Sequence, residues 1–234
     1  MTGRRTWATA VVMIVSAAGA AHAAGRAAQF RNSDGVSIAA TVYDAAIAPA
    51  PAVVLVHMLT RTKEDWQPFA QRLQAAGFTA VTIDLRGHGQ SSGAAAPAAA
   101  MALDVQAALT WLTERSDVTR GAVATVGASL GASLALLAAA DVAAVRGAAL
   151  LSPAADYRGV RLDAALKKYG ARPMLLVASN DDPYALRTVR ALAANHPERE
   201  QRLSPVAAHG SQLLARDPDV AAALVDWLRR TLLS

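Results

Sequence analysis

Gly127-Ala128-Ser129-Leu130-Gly131 sits between an apolar run at 122–126 and a second, Ala- and Leu-rich run at 130–140. The first run has the length and composition of a buried strand, the second the length of about three helical turns. A serine at that junction must occupy a sharp strand-to-helix turn, where strand and helix approach closely. Small residues two positions to either side permit the approach, and Gly127 and Gly131 supply them. The turn lifts the Ser129 hydroxyl to the end of the strand, at a helix N-terminus whose free amides favour negative charge. Ser129 is therefore the candidate nucleophile. Ser133, one turn on, faces the helix interior and reads as structural.

Working outward, the alternation repeats. Residues 30–31 and 36–43 predict two strands joined by a turn at Asn32-Ser33-Asp34-Gly35, followed by a loop at 45–51. Val53-Val54-Leu55-Val56 is a solid apolar run, as expected of a strand buried on both faces. Trp66, Phe69, Ala70 and Leu73 recur at helical spacing, with Trp66 read as core and Gly77 as the stop. A strand is expected at 79–84, a glycine-rich loop at 86–93, a flexible alanine loop at 94–100 broken by Pro97, and a helix at 101–112. Downstream, strands are expected at 147–151, 174–178 and 202–206, and helices at 184–194 and 218–232. This order implies the α/β class: a mostly parallel, doubly covered sheet in a single domain over 24–234.

In such a sheet ligands bind beyond the carboxyl ends of the strands, so the residues just after each strand matter most. A serine nucleophile needs a base, and the base an orienting carboxylate, in the chain order Ser, Asp/Glu, His. Two histidines follow Ser129. His196 precedes Pro197 at a helix end and reads as a solvated cap; His209, in a loop beyond the strand at 202–206, is the expected base. The acid should follow the strand at 174–178, where Asp181 and Asp182 are adjacent. Pro183 biases Asp182 toward an extended conformation, so the two carboxylates point opposite ways. Asp182 is favoured, Asp181 is the alternative, and the unused one is expected to cap a helix or be solvated. The oxyanion hole needs two backbone amides, expected from Leu130 and from Met58. His57 is expected to orient the Met58 loop by hydrogen bonding, because its place in the chain is wrong for the base.

Taken together, His57-Met58 through Trp66, Asp84-Leu85-Arg86-Gly87-His88-Gly89-Gln90-Ser91, the pentapeptide around Ser129, Asp182-Pro183 and His209-Gly210 resemble the α/β-hydrolase superfamily over residues 30–232. Within it the chain is most similar to small bacterial esterases of the dienelactone-hydrolase and serine-aminopeptidase type. The resemblance implies an α/β-hydrolase fold, the triad Ser129, Asp182 and His209, and amide donors at Met58 and Leu130. It implies no metal and no organic cofactor. The loop at 86–89 is expected to be structural, with His88 packing or hydrogen bonding. Two departures stand out. Met58 occupies a position that is often glycine in the family, which is expected to narrow the approach to the oxyanion hole. Dienelactone hydrolases proper use a cysteine nucleophile, and this chain of 234 residues has no cysteine.

The missing cysteines also exclude disulfides, thiolate metal sites and a lipidated cysteine. At the N-terminus, Arg4 and Arg5, an apolar stretch at 7–18 and Ala21-His22-Ala23 read as a signal peptide over 1–23, with a retained anchor as the alternative. The expected location is periplasmic or secreted, without stable membrane association after cleavage. Setting Arg4 and Arg5 aside from the 23 basic residues leaves 21 against 18 acidic ones, a net +3. That mild excess forms no basic stripe and excludes nucleic acid as the expected partner; the partner is a small acyl substrate. Only about twenty residues separate 151 from 174, too few for a lid of several elements, though 157–168 could form one short helix. The expectation is a lidless serine esterase. Peptidase or amidase activity, acyl transfer to another acceptor, and a catalytically silent exported scaffold are the alternatives.

Overall fold

Why both faces of the sheet are buried is visible in single strands. The computed structural model describes residues 24–94, 96–157 and 159–234; the expected signal peptide at 1–23 lies outside them. In chain order the elements are β1 (Arg26–Arg31), β2 (Ser37–Tyr43), β3 (Ala50–Val56), α1 (Gln67–Ala75), β4 (Thr79–Ile83), α2 (Ala98–Thr113), β5 (Val118–Ala128), α3 (Leu130–Asp141), β6 (Val145–Leu151), β7 (Asp156–Tyr157), β8 (Val160–Arg161), α4 (Asp163–Tyr169), β9 (Met174–Ser179), α5 (Pro183–Ala193), β10 (Arg199–Ser204), α6 (Gln212–Arg216) and α7 (Pro218–Leu232). Along β3, Ala52, Val54 and Val56 enter one core cluster while Val53 and Leu55 enter the other. That is the two-residue period of a strand covered on both sides.

Eight strands form one sheet in the order β1-β2-β4-β3-β5-β6-β9-β10. Pairing is parallel from β4 through β10, while β2 runs antiparallel to both β1 and β4. Helices α2 to α5 pack on one face, and α1, α6 and α7 on the other. Helix α3 is buried all round, because it lies between the sheet and both α2 and α4. The fold is an α/β-hydrolase sheet without a large lid.

Several boundaries differ from the sequence reading, each for a local reason. Strand β3 begins at Ala50 rather than at 53, with Pro51 where the pairing to β5 shifts register, a place where a missing N–H is tolerated. Strand β10 runs from Arg199 to Ser204 rather than from 202 to 206, since half-buried Arg199 and exposed Glu200, Gln201 and Arg202 carry part of the edge pairing to β9. The alanine loop is shorter than expected: Ala98, Ala99 and Ala100 already form the first turn of α2, started by Pro97. The segment after β6 is not one helix over 157–168 but the two-residue strands β7 and β8 followed by the short α4. No described helix is long and apolar enough to cross a membrane.

Candidate active site

Strand β5 ends at Ala128 and α3 begins at Leu130, so Ser129 alone makes the turn, at φ 52° and ψ −118°. That sparsely populated conformation is strained for any residue with a side chain and persists only where its surroundings enforce it. They do so here. Ser129 N donates to Leu151 O at 2.9 Å, and Ser129 O accepts from Ala132 N at 2.9 Å. A Cβ on Gly131 would collide with the carbonyls of Val56 and His57, and one on Gly127 with the carbonyl of Gly131. The turn is thus pressed against the end of β3, beside Met58.

The loop after β3 is held by His57, which is fully buried. Its Nδ1 lies 2.7 Å from Met58 O, and its Nε2 accepts from Leu85 N at 3.0 Å. Because Leu85 N–H can only donate, the ring is the neutral tautomer with its proton on Nδ1. Burial drives the His57 pKa below its ordinary value, with its bond to the Met58 carbonyl opposing. Arg61 N adds a second donor to Met58 O at 3.2 Å. The Met58 and Leu130 N–H groups, by contrast, have no acceptor among the described residues. Leu130 N directly follows Ser129, and Met58 N follows the end of β3, against which Gly131 is pressed.

Asp182 lies at the end of β9 and His209 beyond β10. His209 Nδ1 donates to Asp182 Oδ2 at 2.6 Å, while Asp182 Oδ1 accepts from Ala185 N at 3.1 Å. One carboxylate thus orients the imidazole and caps α5. Asp181 is exposed, and its backbone N–H bonds Ser179 Oγ at 3.0 Å. His209 is half exposed and Asp182 mostly buried. The histidine loop reaches Met58 and the end of β5 through Gly210, whose φ is 58°. A Cβ there would collide with Met58 Sδ and lie 3.3 Å from Ala128 Cβ. No hydrogen bond joins Ser129 Oγ to His209 among the described residues; such bonds often tighten only when substrate is bound.

The side chain of Met58 is 8% exposed and lies against Gly210 of the histidine loop. His196 is exposed and paired with Glu198 at 2.9 Å. His88 Nδ1 donates to Arg86 O at 3.0 Å, and its ring lies 5.1 Å from that of His57. Trp66 is core, and the Ser133 hydroxyl is buried without a partner among the described residues.

Sequence reasoning passed over two clusters that fix the loop after β4. Lys63, almost wholly buried, donates to Asp84 Oδ2 and Gln90 Oε1, each at 2.9 Å. Arg86 makes a forked bond to fully buried Asp104, which also accepts from Asn32 Nδ2 at 2.6 Å. Their signal is confined to Asp104, a charge inside an otherwise apolar helix, and Asp84, a charge directly after an apolar strand. It also passed over Ser152, which lies just past the end of β6 and so satisfied the strand-end rule. No group of three His, Asp or Glu side chains among the described residues could hold a metal ion.

Residues 47–214 match the model of a family described as Serine aminopeptidase, S33. No curated protein matches the sequence. Among solved structures, the Pyrococcus furiosus esterase Pf2001 superposes with a TM-score of 0.74 at 18% identity, covering 89% of this chain and 93% of that one. A dienelactone hydrolase from Anabaena variabilis superposes at 0.72 with 20% identity, covering 90% and 100%. The hypothetical protein PA2218 from Pseudomonas aeruginosa gives 0.78 at 17% identity, covering 91% and 95%. At such identities these likenesses establish the fold.

Proposed function

The chain belongs to the serine aminopeptidase, S33, family of α/β-hydrolases, and from that premise we propose that it cleaves carboxylic esters of small acyl groups through an acyl-enzyme on Ser129. The observation that carries this reading is the 2.6 Å bond from His209 Nδ1 to Asp182 Oδ2, on a loop whose next residue packs against Met58 and Ala128. With Nδ1 committed to the carboxylate, Nε2 is left to accept a proton.

In the proposed reaction Ser129 Oγ attacks the ester carbonyl as its proton passes to His209 Nε2. The carbonyl electron pair moves onto oxygen, where the Met58 and Leu130 amides stabilise it. Each such donor is typically worth ~3 kcal/mol in the transition state. Collapse of the tetrahedral species breaks the ester C–O bond, and the imidazolium returns its proton to the departing alcohol. Water then attacks the acyl-enzyme with the same base, releasing the acid and restoring Ser129. Asp182 stabilises the imidazolium throughout. Without a large lid the site favours short acyl chains in solution. Export to the periplasm or beyond, directed by residues 1–23, completes the proposal.

The family's description favours a second reading, hydrolysis of aminoacyl amides on the same three side chains. A panel of short acyl esters and aminoacyl amides separates the two by relative kcat/KM. A fluorophosphonate probe should label the folded protein at Ser129 and fail on Ser129→Ala. A folded protein that takes no label would instead be a silent scaffold.

A further inference from the structure

Both halves of the proposed catalytic pair are tied to two consecutive residues at the end of β6. Leu151 O accepts from Ser129 N at 2.9 Å, and Ser152 Oγ accepts from Gly210 N at 2.9 Å. Ser152 is 2% exposed, and its own N–H donates to Val177 O at 2.7 Å in the neighbouring strand β9. Its φ is 49°, a left-handed value that a serine adopts only under constraint. Ser129 shows the same departure at the end of the adjacent strand. The histidine loop has further ties: Ser179 Oγ donates to Val206 O at 2.8 Å, Ser204 Oγ accepts from Val206 N at 3.1 Å, Arg216 Nη1 donates to Ala207 O at 3.2 Å, and His209 Nδ1 donates to Asp182 Oδ2 at 2.6 Å. The Ser152 bond ties this loop to the end of β6, the strand next to β5, which carries Ser129 at its end.

We propose that Ser152 is a positioning residue for His209, its hydroxyl setting the reach of the histidine loop toward Ser129. The proposal rests on the reading of Ser129, Asp182 and His209 given above. Ser152 touches no substrate in it and acts only through the Gly210 amide. Without the hydroxyl, that buried amide has no acceptor, and the loop must shift to find one. A displacement of about 1 Å at a catalytic group can cost ~10²-fold in rate.

The test uses Ser152→Ala, Ser152→Gly and Ser129→Ala, each assayed with p-nitrophenyl acetate and a fluorophosphonate probe. Glycine removes the hydroxyl and also relaxes the left-handed backbone, so that variant is expected to fold even if Ser152→Ala does not. The expected result is a kcat reduced ~10- to 100-fold in both, with KM within about twofold of the native value. In an Asp182→Asn background the further loss on Ser152→Ala should shrink, because both changes act through one imidazole. Native kcat in either folded Ser152 variant would overturn the proposal. So would a rise in KM at unchanged kcat, or a full multiplicative loss in the Asp182→Asn background. Activity surviving in Ser129→Ala would instead overturn the reading of the site itself, whatever the Ser152 variants show.

Discussion

Asp182 holds a helix terminus with one oxygen and an imidazole with the other, and that division separates it from its neighbour Asp181. The sequence reading assigned capping or solvation to whichever aspartate was not the acid. Here the residue bonded to the imidazole also caps the helix, and Asp181 is left to solvent. Asp182→Asn is expected to lower turnover by about 10⁴, as loss of an orienting carboxylate does in serine hydrolases generally. Asp181→Asn should stay near the native rate; steady-state kinetics on one ester decides between them. His57 offers a different measurement. Its pKa is lowered in the fold, so its contribution to stability is fully present above the ordinary imidazole value of 6.5. That contribution declines as pH falls from there through the lower folded value, where the ring gains a proton and can no longer accept from Leu85 N–H. Urea unfolding across this acid range should show the decline in the native protein and a flatter profile in His57→Gln. An unchanged profile would remove His57 from the account.

Among the elements, the loop after β4 shows what holds the rim of the site in place. Besides the buried side chain of Leu85, it is clamped by charge: Lys63 to Asp84 on one side and Arg86 to Asp104 on the other. Buried pairs of this kind are poor evidence of net stabilisation, yet removing one member leaves the other charged and unsolvated. Asp104→Ala is therefore expected to lower unfolding free energy by about 3–5 kcal/mol. Asp226→Ala, which breaks the exposed pair with Arg229, should cost no more than about 1 kcal/mol. Chemical denaturation of the two variants side by side tests this contrast. Element identities were legible because apolar runs such as 53–56 and 174–178 can bury both faces only as internal strands. Element ends were less so. The ends of β3 and β10 are settled by neighbours: a register shift opposite Pro51 and the edge pairing of Arg199 to Ser204.

For the molecule as a whole, the short segment between β6 and β9 has the clearest consequence. Two-residue strands and a seven-residue helix cannot form a lid of several elements. Hydrolysis of a short-chain ester should therefore rise smoothly with concentration through its solubility limit, without the jump that marks interfacial activation; a rate profile across that limit checks it. The linear chain by itself determined the class of fold and the strand-end positions from which Ser129, Asp182 and His209 were chosen. Those follow from local periodicity, turn chemistry and chain order, all written in contiguous residues. Only the tertiary structure decided which aspartate meets the histidine, where the Met58 side chain goes, and that Ser152 bonds the amide of Gly210. These depend on contacts between residues 27 to 152 positions apart in the chain, and such contacts exist only once parallel pairing has brought the strand ends to one edge of the sheet.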